Sequence, residues 1–280
     1  MVRTYSNQWQ HYELLDAGDN KKLERWGDVI TIRPERNAYF KPVWEAKKWQ
    51  QMAHFEFIEN TSTKGVWHVL GCDLPKNWQI SFNNLQFNLQ LTSFKHVGLF
   101  PEQQNNWEFI QKHLKPNDRF LNLFGYTGAA SIAARQVGAD VFHCDSVRQI
   151  NSWAKQNMES SGLSDIHWVL EDALKFAVRE AKRGNRYSGI IMDPPAFGIG
   201  AKKERWKIEQ RFPELVAVAA NLLQPDGFLI TNTYSPRLTE KDIAPIVRTY
   251  FPNKHVEISK LSLKTTTGKT IEYGELTRVL

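Results

Sequence analysis

Three aspartates stand where an apolar run has just ended: Asp145 after residues 140–144, Asp172 after 166–170 and Asp193 after 187–192. A fourth run, 120–124, ends in a turn carrying two glycines, Gly125 and Gly128, ahead of the helix-favouring Ala129-Ala130-Ser131-Ile132-Ala133-Ala134. Short apolar runs bounded in this way read as buried strands. Strand, glycine turn and helix in that order form a ligand mouth at the edge of a parallel sheet. Glycine is needed there because the backbone must bend sharply and let a ligand come close. On this reading Asn122, Gly125, Asp145, Asp172 and Asp193 converge on one edge although they are far apart in sequence. A carboxylate at Asp145 can accept two hydrogen bonds from a ribose diol, and Asp172 is placed to accept one from an adenine amino group. One acid after a strand is most simply a helix cap. Two after consecutive strands, behind a glycine turn, favour a nucleoside. The turn has neither G-x-G-x-x-G nor G-K-[ST], which disfavours a diphosphate and fits an adenosine with a non-phosphate tail.

Asp193 opens the run Asp193-Pro194-Pro195-Ala196-Phe197-Gly198. Two prolines stiffen the backbone. A rigid loop can present the Asp193 side chain and the Pro194 carbonyl as fixed acceptors to a planar amine or base edge, with Phe197 as an aromatic face. The loop beyond is basic: Lys202, Lys203, Arg205, Lys207 and Arg211, with Trp206 interleaved, which suits phosphate contacts and a stacking platform. Residues 175–211 hold ten Lys/Arg and four Asp/Glu, an excess equal to the net charge of +6 on the whole chain. Lys182, Arg183 and Arg186 precede the fourth strand, so they belong at its opposite end and do not add to this patch. For any single lysine a solvated face is the simpler reading.

The elements that must position these groups fall in two parts. Residues 1–95 hold six of the ten tryptophans (Trp9, Trp26, Trp44, Trp49, Trp67 and Trp78) and show alternating runs at 28–33, 65–70 and 78–91. They predict a small β-rich N-terminal domain whose tryptophans are mainly packing residues. Residues 96–280 predict regular α/β alternation. Gly138 is expected as a helix C-cap, Ser146 with Gln149 as a capping box, Pro225-Asp226-Gly227 as a turn into a fifth strand at 228–233, and 256–263 with 271–279 as a terminal antiparallel pair. The composition, 41% apolar and 24% charged, is that of a globular protein. No apolar run reaches the roughly 18 residues of a membrane span, and the N-terminus lacks the apolar core of a signal peptide. Two cysteines, Cys72 and Cys144, argue against a disulfide framework and for a reducing cytoplasm. The eight histidines show no metal-ligand spacing, so no metal is expected.

N-L-F-G-Y-T-G at 122–128, then Asp145, Glu171-Asp172 and Asp193-Pro194-Pro195-Ala196-Phe197-Gly198, resemble in order and spacing the motifs of class I S-adenosylmethionine-dependent methyltransferases. The resemblance covers about residues 95–280. It is nearest to the bacterial large-subunit ribosomal RNA methyltransferases that act on cytosine C5 or guanine N7. It implies a Rossmann-like seven-stranded sheet with the last strand antiparallel, and S-adenosylmethionine as methyl donor. Gly125 and Gly128 would flank the methionine part, with Phe124, Tyr126 and Thr127 in the same turn. Asp145, followed by Ser146, would hold the ribose and Asp172 the adenine. Phe100 and Gln103, from Phe-Pro-Glu-Gln at 100–103, would approach the cofactor. Asp193, Pro194, Pro195 and Phe197 would serve the acceptor, and Lys202, Lys203, Arg205 and Trp206 the RNA.

The chain departs from these relatives twice. Ala196 separates the second proline from the aromatic. The cysteine nucleophile that cytosine-C5 enzymes need after strand five is replaced by Thr233-Tyr234-Ser235. The expected reaction is therefore methyl transfer to a nitrogen of an RNA base, with ribosomal RNA favoured. A small molecule or protein side chain as acceptor is the alternative, and a cofactor-binding protein without catalysis is the third.

Overall fold

The computed structural model describes residues 2–6, 9–61, 64–71, 74–199 and 205–280. The chain divides into two compact units, one of Met1–Thr4, Gln104–Leu261 and Gly274–Leu280, the other of Tyr5–Gln103 and Ser262–Tyr273.

The chain opens on a short strand, β1 (Arg3–Tyr5). The β-rich unit then contributes β2 (Tyr12–Gly18), β3 (Lys21–Trp26), β4 (Val29–Pro34), α1 (Ala46–Met52), β5 (Phe55–Glu59) and β6 (Gly65–Val69), whose strands form one sheet in that order. β7 (Asn77–Phe82) and β8 (Leu85–Gln90) make a separate hairpin. The strands expected at 28–33, 65–70 and 78–91 are present, and β2 and β3 join them. Trp26 and Trp49 are buried, as packing requires.

This unit also buries charge. Arg33 Nε donates to Glu24 Oε2 at 2.6 Å, Tyr12 OH donates to Glu24 Oε1 at 2.9 Å, and Lys22 Nζ lies 3.4 Å from Glu24 and 3.3 Å from Glu35. Buried charges persist only when paired and hydrogen-bonded in this way. The neighbouring Arg33 and Lys22 cations hold the Glu24 carboxyl below its usual range against the opposing effect of burial. Asp16 is a second such centre. Its carboxylate accepts from the backbone of Val43 and Trp44, from Trp49 Nε1 at 3.1 Å and from Thr267 Oγ1 at 2.8 Å.

The larger unit begins with α2 (Gln104–His113) and proceeds through β9 (Arg119–Leu123), α3 (Ala129–Gln136), β10 (Asp140–Asp145), α4 (Arg148–Ser160), β11 (Ile166–Leu170), α5 (Ala173–Lys182) and β12 (Tyr187–Met192). A small antiparallel hairpin follows, β13 (Phe197–Ile199) with β14 (Arg205–Lys207), then α6 (Ile208–Leu222), β15 (Leu223–Thr233), α7 (Glu240–Tyr250), β16 (Val256–Lys264) and β17 (Thr270–Val279). The sheet order is β1-β16-β17-β15-β12-β9-β10-β11. The seven expected strands are all there, with β17 antiparallel to β15, and β1 adds an eighth beside β16. β9 pairs in parallel with both β10 and β12, so the strand order reverses at β9. In open α/β sheets the crevice beyond the strand ends at such a reversal is where ligands bind.

Alternation sets the two faces. Leu121, Leu123, Met192 and Leu229 share one buried cluster with Phe212, Leu215, Val216 and Ala219 of α6. Phe120 points the other way, where Phe228 meets Phe109 of α2 at 5.3 Å between ring centres. Truncating a fully buried side chain such as Phe212 to alanine costs about 3–5 kcal/mol. The Pro225-Asp226-Gly227 turn is a bulge inside β15: Tyr187 pairs with Leu223 and Gly189 with Phe228, leaving residues 224–227 outside the ladder.

Candidate active site

β9 brings the chain to the sheet edge at Leu123. The next residues wind tightly: φ is 60° at Phe124, 49° at Tyr126 and 85° at Gly128. Two non-glycine residues in the left-handed region of one short turn is a strained arrangement that the surroundings must enforce. Gly125 N donates to Cys144 O and Gly128 N to Gly125 O, both at 3.0 Å. Tyr126 N donates to Asp145 Oδ2 at 3.1 Å. A Cβ on Gly125 would lie 2.3 Å from Cε1 of His143, so only glycine lets the turn lie this close to β10. Thr127 is buried below the turn.

Asp145 ends β10 half-buried. Its second oxygen accepts from Val147 N at 2.9 Å. Burial raises the carboxyl pKa, opposed by these backbone donors. The capping box expected from Ser146 and Gln149 is not formed. α4 starts at Arg148 with Val147 as N-cap, whose hydrocarbon side chain makes no cap bond, so Ser146 lies one residue ahead of the cap position, and the Val147 amide donates to Asp145. Ser146 is left exposed on the rim. Asp172 caps α5, accepting from Lys175 N at 2.9 Å. Its neighbour Glu171 pairs with Arg179 at 2.6 Å.

Asp193 sits beside the glycine turn, its amide donating to Leu123 O at 3.3 Å. Pro194 is buried and Pro195 exposed. The stretch beyond is the β13–β14 hairpin rather than a plain loop, with Gly198 opposite Trp206. Trp206 Nε1 donates to Pro195 O at 2.7 Å, and its ring centre lies 5.4 Å from that of Phe124. Phe197 is 56% exposed, and Arg205 and Lys207 are exposed. The structure thus brings Asn122, Phe124, Gly125, Tyr126, Thr127, Gly128, Asp145, Asp193 and Trp206 to one edge of one unit. Lys202 and Lys203 lie outside the described residues. Phe100 and Gln103 belong to the β-rich unit, where Phe100 meets His96 edge-on at 5.1 Å and Gln103 is buried in a 3-10 turn, Pro101–Gln103.

Cys144 is buried, and its Sγ donates to Glu171 O at 3.4 Å. Burial and the nearby carboxylates push its thiol up to about 12, so it is no thiolate nucleophile. Cys72 lies outside the described residues. Among the described residues no group of His, Cys, Asp and Glu is arranged to hold a metal ion, and no helix is long and apolar enough to cross a membrane.

Three polar residues near the turn escaped the sequence reading: Ser131, His143 and Asn151. Asn122 Nδ2 donates to Ser131 Oγ at 2.9 Å, Ser131 Oγ lies 2.9 Å from His143 Nδ1, and Asn151 Nδ2 donates to the Asp145 carbonyl at 3.1 Å. The signal available was a histidine in the middle of an apolar parallel strand, D-V-F-H-C, level with Asn122 on the next strand.

The sequence profile of the S-adenosylmethionine-dependent methyltransferase family matches residues 36–243. A crystal structure of a SAM-dependent methyltransferase from Agrobacterium tumefaciens superposes with a TM-score of 0.93 at 31% identity, covering 100% of this chain and 93% of that one. The chain belongs to the S-adenosylmethionine-dependent methyltransferases, and S-adenosylmethionine is its cofactor. Among curated relatives, the ribosomal RNA large subunit methyltransferase K/L of Hahella chejuensis is 34% identical over 76% of this chain and 28% of its own length. The ribosomal RNA large subunit methyltransferase K of Neisseria meningitidis serogroup B is 30% identical over 76% of this chain and 62% of its own. The chain therefore spans less than two thirds of these curated relatives.

Proposed function

We propose that this enzyme methylates a nitrogen of an RNA base, with ribosomal RNA as the substrate. The observation that carries the reading is the seat of Trp206, against the Pro195 carbonyl on one side and Phe124 of the glycine turn on the other. It joins the basic hairpin to the cofactor edge, with exposed Phe197 beside it. The similarity to the ribosomal RNA large subunit methyltransferases of Hahella and Neisseria favours ribosomal RNA.

The cradle suits an adenosine with an amino-acid tail. Gly125 and Gly128 put no side chain over the turn, and the N-terminus of α3 favours the negative end of that tail. Asp145 is assigned to the ribose and Asp172 to the adenine. When bound, S-adenosylmethionine supplies an electrophilic methyl group on a sulfonium, so aligning the acceptor is the main task left to the protein. Asp193 and the Pro194 carbonyl accept hydrogen bonds from the base and fix its nitrogen. Phe197 and Trp206 stack on a base taken out of its helix, and Arg205 contacts phosphate. The buried, protonated Cys144 and the Thr233-Tyr234-Ser235 segment favour nitrogen over ring carbon. The β-rich unit, read from the sequence as residues 1–95, is assigned to substrate recognition, and a cytoplasmic location follows from a ribosomal substrate.

Mass spectrometry of nucleosides in ribosomal RNA from cells with and without the gene tests this reading. One N-methylated nucleoside is expected to vanish on deletion and to return when the purified protein and S-adenosylmethionine are added. No change in any RNA fraction would overturn the RNA assignment. Binding of S-adenosylhomocysteine without turnover on any acceptor would leave only a cofactor-binding protein. Trp206→Ala is expected to raise KM for RNA at least fivefold, as loss of a stacking platform does.

A further inference from the structure

The polar chain beneath the glycine turn runs from one side of the site to the other. Asn122, at the end of β9, donates through Nδ2 to Ser131 of α3. Ser131 accepts that bond, so its hydroxyl hydrogen is available to His143 Nδ1, 2.9 Å away. The imidazole then carries its hydrogen on Nε2. Burial pushes His143 down to about 3, so the ring is neutral at working pH, and the Asn151 side chain acts the other way. His143 Nε2 and Asn151 Oδ1 are both buried without a hydrogen-bond partner, one a donor and one an acceptor. Asn151 Nδ2 in turn donates to the carbonyl of Asp145 at 3.1 Å and to that of Val169 at 3.3 Å. The face of the same ring fills the space that a Cβ on Gly125 would need.

We infer that His143 is a positioning residue for the cofactor, a wedge that holds the strained turn at residues 124–128 and the Asp145 strand end in one fixed geometry. The inference rests on the reading that the cofactor lies across that turn. An aliphatic side chain could fill the same volume. It would leave the Ser131 hydroxyl hydrogen without its acceptor in a dry interior and so loosen the tie between β10 and α3, the helix that follows the turn.

Calorimetric titration of S-adenosylhomocysteine, with melting temperatures recorded in parallel, tests this on the full chain. Wild type is expected to bind. His143→Asn, whose amide can occupy the Nδ1 position, is expected to stay within about threefold of wild type, while His143→Leu weakens binding about tenfold or more at temperatures where it is fully folded. In turnover, His143→Leu is expected to raise KM for S-adenosylmethionine and leave KM for the acceptor unchanged, a split that a loss of packing alone does not produce. Gly125→Ala is expected to abolish binding, and Gly125→Ala with His143→Ala to recover part of it. Absence of binding by wild type would overturn the cofactor placement. Binding by wild type and equally by folded His143→Leu would overturn the positioning role alone. Should His143→Leu not fold, the Asn variant and the double variant decide: a weak Asn variant and an unrescued Gly125→Ala both count against the inference.

Discussion

The two units use the same acidic residues for opposite ends. In the β-rich unit, Glu24 and Asp16 are sealed in the interior and each is surrounded by donors from its own fold. In the larger unit, Asp145 and Asp172 stand half-buried at strand ends, each engaged by backbone amides that use only part of a carboxylate's acceptor capacity. Saturation by the protein itself marks a carboxylate that holds structure. Partial saturation at a strand end marks one that can still take a ligand. The difference lies in burial and partners, not in residue type.

The largest effect should come from the sealed side. Arg33→Ala strands Glu24 in the interior and is expected to cost about 3–5 kcal/mol in denaturant unfolding. A loss below about 1 kcal/mol would show that the pair is not dry and would break the comparison. Next is Glu102, which burial raises to about 7. The folded state holds this proton more tightly than the unfolded chain does. Its contribution is therefore favourable below the unfolded carboxylate range and is lost as pH rises from about 4.5 to about 7, by up to about 3 kcal/mol. Glu102→Gln is expected to flatten the stability profile in that window, and an unchanged slope would assign the dependence elsewhere. On the open side, Asp145→Ala should weaken S-adenosylhomocysteine binding roughly thirtyfold, about 2 kcal/mol, with a smaller change in melting temperature. The reverse ranking would make Asp145 another structural acid. Asp172→Ala falls between the two classes. Losing its cap costs about 1 kcal/mol of stability, and binding measured on the same protein shows whether the adenine loses a partner as well.

Much of the larger unit was legible because its strands are short apolar runs with polar stops, and its turns carry the glycines their backbone needs. Gly138, with φ of 85°, is the helix terminus its position suggested. What escaped notice depended on competition or on distance. Ser146 had the spacing of a cap, but the helix starts one residue later, with Val147 at the cap position, a choice only the fold can reveal. β13 and β14 are three residues each, too short for alternation to register, so a hairpin read as a basic loop. His143 read as one more strand residue because its partners lie on β9, α3 and α4. Ser262–Tyr273 shows nothing in sequence of its place in the unit built mainly from Tyr5–Gln103.

That last segment bears on the order in which the molecule can be made. Leu14, Leu15 and Asp16 have three partners, the Thr266 amide, the Thr266 hydroxyl and the Thr267 hydroxyl, that are made only after the whole of Gln104–Leu261. The β-rich unit is thus completed only after Gln104–Leu261 of the larger unit has been made. A nascent chain stalled after Gln103, or a protein clipped before Ser262, holds Asp16 in a half-built site, so the β-rich unit reports whether synthesis has passed Thr267.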